Sequence, residues 1–248
     1  MINTTSFSQK YMRLNLPMLP EKHVVIPNPV DLKRFNPQNY DRNFFRVQWQ
    51  VGENDFLIGL VGRIDPGKGQ KEIILALPRI IANFPQVKLV IVGEVTWGQH
   101  KNYVAELKLL AKELKIAKNI IWAGYQTQIP EILKALDLFV LPSYQESFGR
   151  VLVEAMAMNL PTIATNSGGP TEILDYGSCG ILVPPRQVEP LADAVLRYLD
   201  DGKLRNQKAS AGRLRAKNIY SINGVITRLE EIYRQSLSPK APNEKKNQ

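Results

Sequence analysis

Leu57-Ile58-Gly59-Leu60-Val61-Gly62-Arg63-Ile64-Asp65-Pro66-Gly67-Lys68-Gly69 begins as a short apolar run, passes through a loop with three glycines, and gives way at Gln70 to a stretch of helical period. A second apolar run, Val87 to Val92, follows that stretch, so the segment reads as one βαβ unit. The alternation continues downstream, with predicted strands at Leu57 to Val61, Val87 to Val92, Ile120 to Ala123, Leu138 to Leu141, Thr162 to Ala164 and Ile181 to Val183. Helical periods fall at Gln70 to Asn83, Tyr103 to Leu114, Gln128 to Ala135, Arg150 to Met158, Pro170 to Leu174, Glu189 to Leu199, Lys203 to Asn218 and Ile222 to Gln235. The strand runs are almost continuously apolar, as strands buried on both faces must be. The expected fold is α/β, a single Rossmann-like domain with a mainly parallel sheet covered by helices on both faces. Ligands of such sheets bind beyond the carboxyl ends of the strands. Three glycine-bearing loops lie there: Gly62 to Gly69, Ser143 to Gly149 and Asn166 to Gly169.

The regions outside this repeat are read differently. Upstream of residue 51 only Val24-Val25-Ile26 suggests a strand and residues 3 to 13 a helix, with Pro27-Asn28-Pro29 as turn chemistry. Beyond Ser236, prolines and a Lys/Asn-rich end suggest a disordered tail over 237–248. The expected organisation is therefore 1–50 as a segment preceding the repeat, 51–236 as the ligand-binding domain, and a tail. In 248 residues with 44% hydrophobic content, no apolar run approaches the ~20 residues that span a bilayer, and residues 1 to 20 lack a signal-peptide stretch. This suggests a cytoplasmic location. The lone Cys179 permits no internal disulfide and suits a small turn or core position, while His23 and His100 are too few for a structural zinc site.

The net charge of +9 is concentrated at the ends: residues 1–50 hold 7 Lys/Arg against 3 Asp/Glu, residues 51–200 hold 14 against 16, and residues 201–248 hold 11 against 4. Basic residues interleaved with aromatics, as nucleic-acid binding would require, are not found. Basic ends suit solubility or peripheral contact with an acidic membrane.

Gly62 to Gly69 narrowly misses a P-loop. Its glycines and lysine have the required spacing, but Gly69 stands where a magnesium-ligating Ser or Thr belongs, and Pro66 removes a backbone donor. A P-loop phosphotransferase is one alternative. The other use of this loop is to place two cations, Arg63 and Lys68, on a diphosphate without a metal.

Glu146-Ser147-Phe148-Gly149-Arg150-Val151-Leu152-Val153-Glu154 puts one carboxylate before a helix and another about a turn inside it. A helix N-terminus carries unpaired N–H groups and roughly half a positive charge, which suits phosphate; carboxylates beside it accept hydrogen bonds from hydroxyls. Phosphate flanked by hydroxyls describes a nucleotide sugar. Spacing alone does not distinguish such a site from a loop acid and a solvated helix residue.

Together with Ile26-Pro27-Asn28-Pro29-Val30-Asp31, Gly124-Tyr125, Ala155-Met156-Ala157 and Gly168-Gly169 with Glu172, these motifs make the chain resemble the retaining glycosyltransferases of family 4, also called glycosyl transferases group 1. The resemblance covers about residues 20 to 235 and corresponds to the C-terminal, donor-binding half of a glycosyltransferase-B fold. It implies a hexosyl transfer from a nucleoside diphosphate sugar, with no cofactor and no bound metal. Arg63 and Lys68 would hold the diphosphate, beside Gly62 and Gly69. Glu146 would contact the sugar, and Glu154 the ribose. The backbone from Ser147 through Phe148, Gly149 and Arg150 to Val151 would meet sugar and phosphate, and Gly124, Tyr125 and Gln126 would receive the base. Glu146, Arg63 and Lys68 would carry the catalysis. Pro29 and Arg150 depart from the usual pattern. The resemblance makes residues 1–50 the remnant of an N-terminal domain and the interdomain crossing segment; the acceptor site is expected on the rest of that domain, so a separate domain of that kind or a homodimer partner is the expected complement. A non-catalytic nucleotide-binding or interaction module is the remaining alternative.

Overall fold

All six apolar runs become strands of one sheet. The computed structural model describes residues 2–15, 24–95, 100 and 102–237. In chain order the elements are β1 (Ile2–Asn3), α1 (Ser6–Asn15), β2 (Val24–Val25), α2 (Asn43–Gln48), β3 (Phe56–Val61), α3 (Gln70–Asn83), β4 (Val87–Val92), α4 (Tyr103–Glu113), β5 (Ile120–Gly124), α5 (Ile129–Ala135), β6 (Leu138–Leu141), α6 (Arg150–Ala157), β7 (Thr162–Thr165), α7 (Gly169–Ile173), β8 (Ile181–Val183), α8 (Val188–Asp200), α9 (Gly202–Ile219) and α10 (Ile222–Leu237). The expected tail beyond Leu237 lies outside the described residues. Among the described residues no helix is long and apolar enough to cross a membrane.

The sheet order is β5-β4-β3-β6-β7-β8, and every pairing in it is parallel. The chain winds outward from β3 to β5, returns to place β6 beside β3, and winds outward the other way to β8. The order therefore reverses between β3 and β6, where doubly wound sheets open a ligand crevice.

The apolar runs divide by alternation. Leu57, Val61, Val90, Val92, Phe139 and Leu141 enter one buried cluster; Ile58, Leu60, Leu89, Ile91, Leu138 and Val140 enter the other. Each strand thus feeds both faces with its period of two. On the second face, α3 contributes Ile73, Ile74, Leu77 and Ile80, and α8 contributes Leu191, Val195 and the fully buried Tyr198.

Two elements, β1 and α2, have no counterpart in the periodicity. β1 pairs with β2 in a small parallel ribbon apart from the main sheet. Helix α2 is only six residues long and buries Phe45 while leaving Phe44 and Val47 exposed, too short to display a period. Its Arg46 is 3% exposed and fully engaged: Nη1 donates to Ala135 O and Asp137 Oδ2, and Nη2 donates to Gly52 O and Asp55 O. Asp137 Oδ2 also accepts the Leu57 N–H, which ties α2 to the start of both central strands. Val30, Phe35 and Phe45 pack in the same cluster as the sheet residues.

Candidate functional site

The loops leaving β3 and β6 lie side by side at the reversal and grip each other. Asp65 caps a short turn, Pro66–Lys68, by accepting the Gly67 N–H at 2.8 Å. That turn presents the Gly67 carbonyl to the Tyr144 N–H at 2.8 Å and aims Lys68 across the gap, where its Nζ donates to Glu146 Oε2 at 2.7 Å. The two side chains are 23% and 17% exposed, so this pair is screened less than a surface ion pair. Gly69 follows with φ 74°, and a Cβ there would lie 2.1 Å from the Pro142 carbonyl oxygen. A Ser or Thr does not fit that position, so the P-loop's missing hydroxyl is a consequence of how closely these two loops pack.

Three further sets of contacts hold the Glu146 loop. The Ser143 carbonyl accepts hydrogen bonds from Thr165 Oγ1 and Ser167 Oγ on the β7 side. The Tyr144 hydroxyl donates to Glu72 Oε1 at 2.6 Å on α3, beneath the Arg186 guanidinium, 4.6 Å from the ring centre. Burial, with the Glu72 carboxylate next, pushes the Tyr144 phenol well above its ordinary value and keeps it a neutral donor. The glycine pair after β7 supplies the third set. Gly169 N–H donates to the Glu146 carbonyl at 2.8 Å, and Glu146 N–H donates to Ser167 O at 3.2 Å. A Cβ on Gly168 would lie 2.4 Å from the Glu146 carbonyl oxygen, and one on Gly169 would lie 2.5 Å from that of Ser147. Gly168-Gly169 is a backbone buttress for the Glu146 loop.

Two adjoining cavities open along this edge. One of about 140 Å³ is lined by Gly62, Arg63, Lys68, Glu146, Gly149, Arg150 and Val151 among others; it brings both loop cations, the first carboxylate and the start of α6 together. The other, about 350 Å³, is shaped by Gly62, Arg63, Gly93, Glu94, Tyr125 and Gln126. Gly62 and Arg63 line both. The larger cavity depends on glycines at three successive strand ends: Gly93 N–H donates to Gly124 O at 2.8 Å, and a Cβ on Gly93 would lie 1.9 Å from Gly62 O. Glu94 Oε1 accepts the Tyr125 N–H at 3.4 Å, and the Tyr125 ring is exposed. Gly93 and Glu94 were not among the sequence candidates. The signal was available, because Val92-Gly93 ends its strand as Val61-Gly62 does.

The remaining candidates are placed around these cavities without lining either. Gly69 packs on Pro142, and Gly124 braces Gly93. Ser147 is exposed, with its carbonyl turned toward Thr5. Phe148 turns its ring into the core, edge-on to Tyr220 at 6.0 Å, leaving only its backbone in the loop. Glu154 is 14% exposed, with the Arg150 guanidinium 3.8 Å from its carboxylate. Burial raises the Glu154 pKa, an effect that the Arg150 and Arg34 charges partly oppose. A carboxyl raised in the folded state contributes stability that is fully present below its unfolded pKa and is lost as pH rises through the folded value. Glu154→Gln is therefore expected to melt above the wild type at pH 8, with the difference vanishing toward about pH 4 in parallel thermal scans. A constant difference across that range would show that burial does not raise the Glu154 pKa.

The glycosyl transferases group 1 family matches residues 41–215 of this sequence. The lipopolysaccharide core biosynthesis mannosyltransferase LpsB of Rhizobium meliloti (strain 1021) is 27% identical over 213 residues, which are 85% of this chain and 60% of that protein. Among solved structures, Anabaena Alr3699/HepE in complex with UDP superimposes with a TM-score of 0.87 at 28% identity, covering 94% of this chain and 63% of the other. The C-terminal domain of the glycosyl transferase group 1 family protein LpcC from Francisella tularensis is 32% identical, with a TM-score of 0.69, over 78% of this chain and 99% of that domain. The chain spans about half the length of the curated relatives it matches.

Proposed function

Because the chain belongs to the glycosyl transferases group 1, we propose that it is the donor-binding part of a family 4 retaining glycosyltransferase, which takes a hexosyl group from a nucleoside diphosphate sugar. The observation that carries this reading is the Lys68–Glu146 pair at the strand-order reversal, set beside the start of α6 in one cavity. Lys68, Arg63 and the α6 N–H groups neutralise the diphosphate as the bond from the sugar's anomeric carbon to phosphate oxygen breaks and its electron pair passes to that oxygen, while an acceptor hydroxyl oxygen bonds the anomeric carbon and its proton passes to the released diphosphate. Glu146 accepts hydrogen bonds from the sugar, and Glu154 from the ribose. The larger cavity, floored by glycines and edged by Glu94, Tyr125 and Gln126, takes the base.

The acceptor is held by a part of the enzyme beyond this chain, with residues 1–50 as the preceding and crossing segment and 51–236 as the donor domain. The match to an isolated C-terminal domain supports that division. Helix α10 leaves Ile222, Ile226 and Tyr233 exposed, a surface that a further domain or a second copy would cover. A thermal-shift panel of UDP, GDP and ADP tests the reading. One of them, at a hundred times its dissociation constant, should stabilise the chain by about 2.7 kcal/mol. The Glu154→Ala and Lys68→Ala variants should lose most of that shift. No shift with any of the three, or a shift untouched by both substitutions, would overturn it.

A further inference from the structure

The first helix of the chain is fastened to the loop that carries Glu146. Thr5 stands at the N-cap of α1 and forms a reciprocal capping box with Ser8: Ser8 N–H donates to Thr5 Oγ1, and Thr5 N–H to Ser8 Oγ, both at 3.1 Å. The Thr5 hydroxyl also reaches the Ser147 carbonyl at 3.0 Å. The next two N–H groups of the helix, those of Ser6 and Phe7, donate to the two carboxylate oxygens of Glu172, at 3.0 and 2.8 Å. A carboxylate gripping a helix N-terminus in this way gains from both charge-assisted bonds and the helix dipole.

Glu172 lies one turn into α7, the helix whose first residue, Gly169, bonds the Glu146 carbonyl. Arg215 fixes the other side of Glu172 by donating to its carbonyl at 2.9 Å and to that of Ile173 at 3.0 Å. The Phe7 ring completes the contact, since a Cβ on Gly168 would lie 3.2 Å from it. The Thr5 hydroxyl touches Ser147 directly, the Phe7 ring lies against Gly168, and Glu172 acts through α7, whose Gly169 bonds the Glu146 carbonyl. None reaches Gly62, Gly93, Glu94 or Tyr125, the residues around the larger cavity.

We propose that Glu172 and the N-cap of α1 form a positioning clamp. Docking of residues 2–15 fixes the backbone at Glu146 and Ser147, and so sets how firmly the sugar end of the donor is held while leaving the nucleotide end unchanged. The inference rests on the donor reading above, and it makes Glu172 and Thr5 positioning residues that act through Glu146.

The test uses the full chain with Glu172→Gln, Thr5→Val and, as a conservative control, Thr5→Ser. Amide hydrogen exchange needs no ligand: protection at Glu146 and Gly169 should fall in the first two variants and be retained in Thr5→Ser. Calorimetric titration with UDP, GDP, ADP and their glucose conjugates supplies the second readout. The two disruptive variants should bind the nucleotide-glucose about fivefold to tenfold more weakly, the scale of one ordinary hydrogen bond, because the clamp acts on the sugar only through the Glu146 loop. Their affinity for the free nucleotide should stay within about twofold, the spread expected of a site with no shared contacts. Equal weakening toward both ligands alongside a lowered melting temperature, or unchanged exchange and affinity, would overturn the clamp alone. Failure of the wild type to bind any of the six compounds would overturn the donor reading and the clamp with it.

Discussion

Replacing Lys68 by alanine is expected to weaken nucleoside diphosphate binding by about 10- to 100-fold, since one charge-assisted hydrogen bond is worth roughly 1.5–3 kcal/mol. Turnover by the complete enzyme should fall by roughly 10²–10³-fold, the range for removing one preorganised group from developing negative charge. That range counts the lost bond alone, and what Lys68 touches adds to it. Its Nζ is bonded to Glu146 Oε2 at 2.7 Å, and both side chains are mostly buried. Without the ammonium, Glu146 presents an uncompensated carboxylate to the incoming phosphates. Two like charges 4 Å apart repel by about 4 kcal/mol at an effective dielectric of 20. The double variant Lys68→Ala/Glu146→Ala should therefore recover part of the affinity for the free nucleotide, although it should not recover sugar transfer. Titration of both variants with the same nucleotide forms the cycle. Strictly additive losses would mean that Lys68 and Glu146 do not share a ligand.

The residues that could be read in advance are those whose role follows from backbone pattern. The strands announce themselves because each serves two buried faces, and the loops at their carboxyl ends follow from the strand positions. The pairing of Lys68 with Glu146 required the sheet order, which periodicity does not contain; only the reversal between β3 and β6 brings loops 78 positions apart into contact. Phe148 shows another limit. A loop residue's side-chain direction has no period, so a phenylalanine in the middle of a polar motif can as easily anchor the loop in the core as face a ligand. Arg46 was illegible for a related reason. A buried arginine that bonds three carbonyls and a carboxylate looks, in sequence, like any surface cation. Gly168-Gly169 could be read only as a glycine-bearing loop at the ligand edge of the sheet, because what it accommodates is the backbone of Glu146 and Ser147, more than twenty positions away.

Gly69→Ser would restore the P-loop consensus, and it is expected to damage the protein instead of converting it. The backbone at Gly69 has φ 74° and ψ 21°, a left-handed conformation that costs a serine about 1 kcal/mol or more by itself. The larger penalty is contact. A Cβ would meet the Pro142 oxygen at 2.1 Å and its carbonyl carbon at 2.7 Å, both backbone atoms of the neighbouring loop. Neither can rotate away, so the two loops must separate, and the Tyr144 N–H to Gly67 O bond and the Lys68–Glu146 pair separate with them. A total near 3 kcal/mol is in keeping with strain plus overpacking, and at about 2–4 °C per kcal/mol the melting temperature should drop by roughly 6–12 °C. Nucleotide binding should decline as well, because Lys68 and Glu146 no longer line one cavity. Thermal scans, nucleotide titration and a magnesium-dependent ATPase assay on the same preparation decide the matter. A variant that melted with the wild type and hydrolysed ATP would mean that the loop is a P-loop lacking one hydroxyl, and that the close packing of Gly69 on Pro142 carries no functional weight.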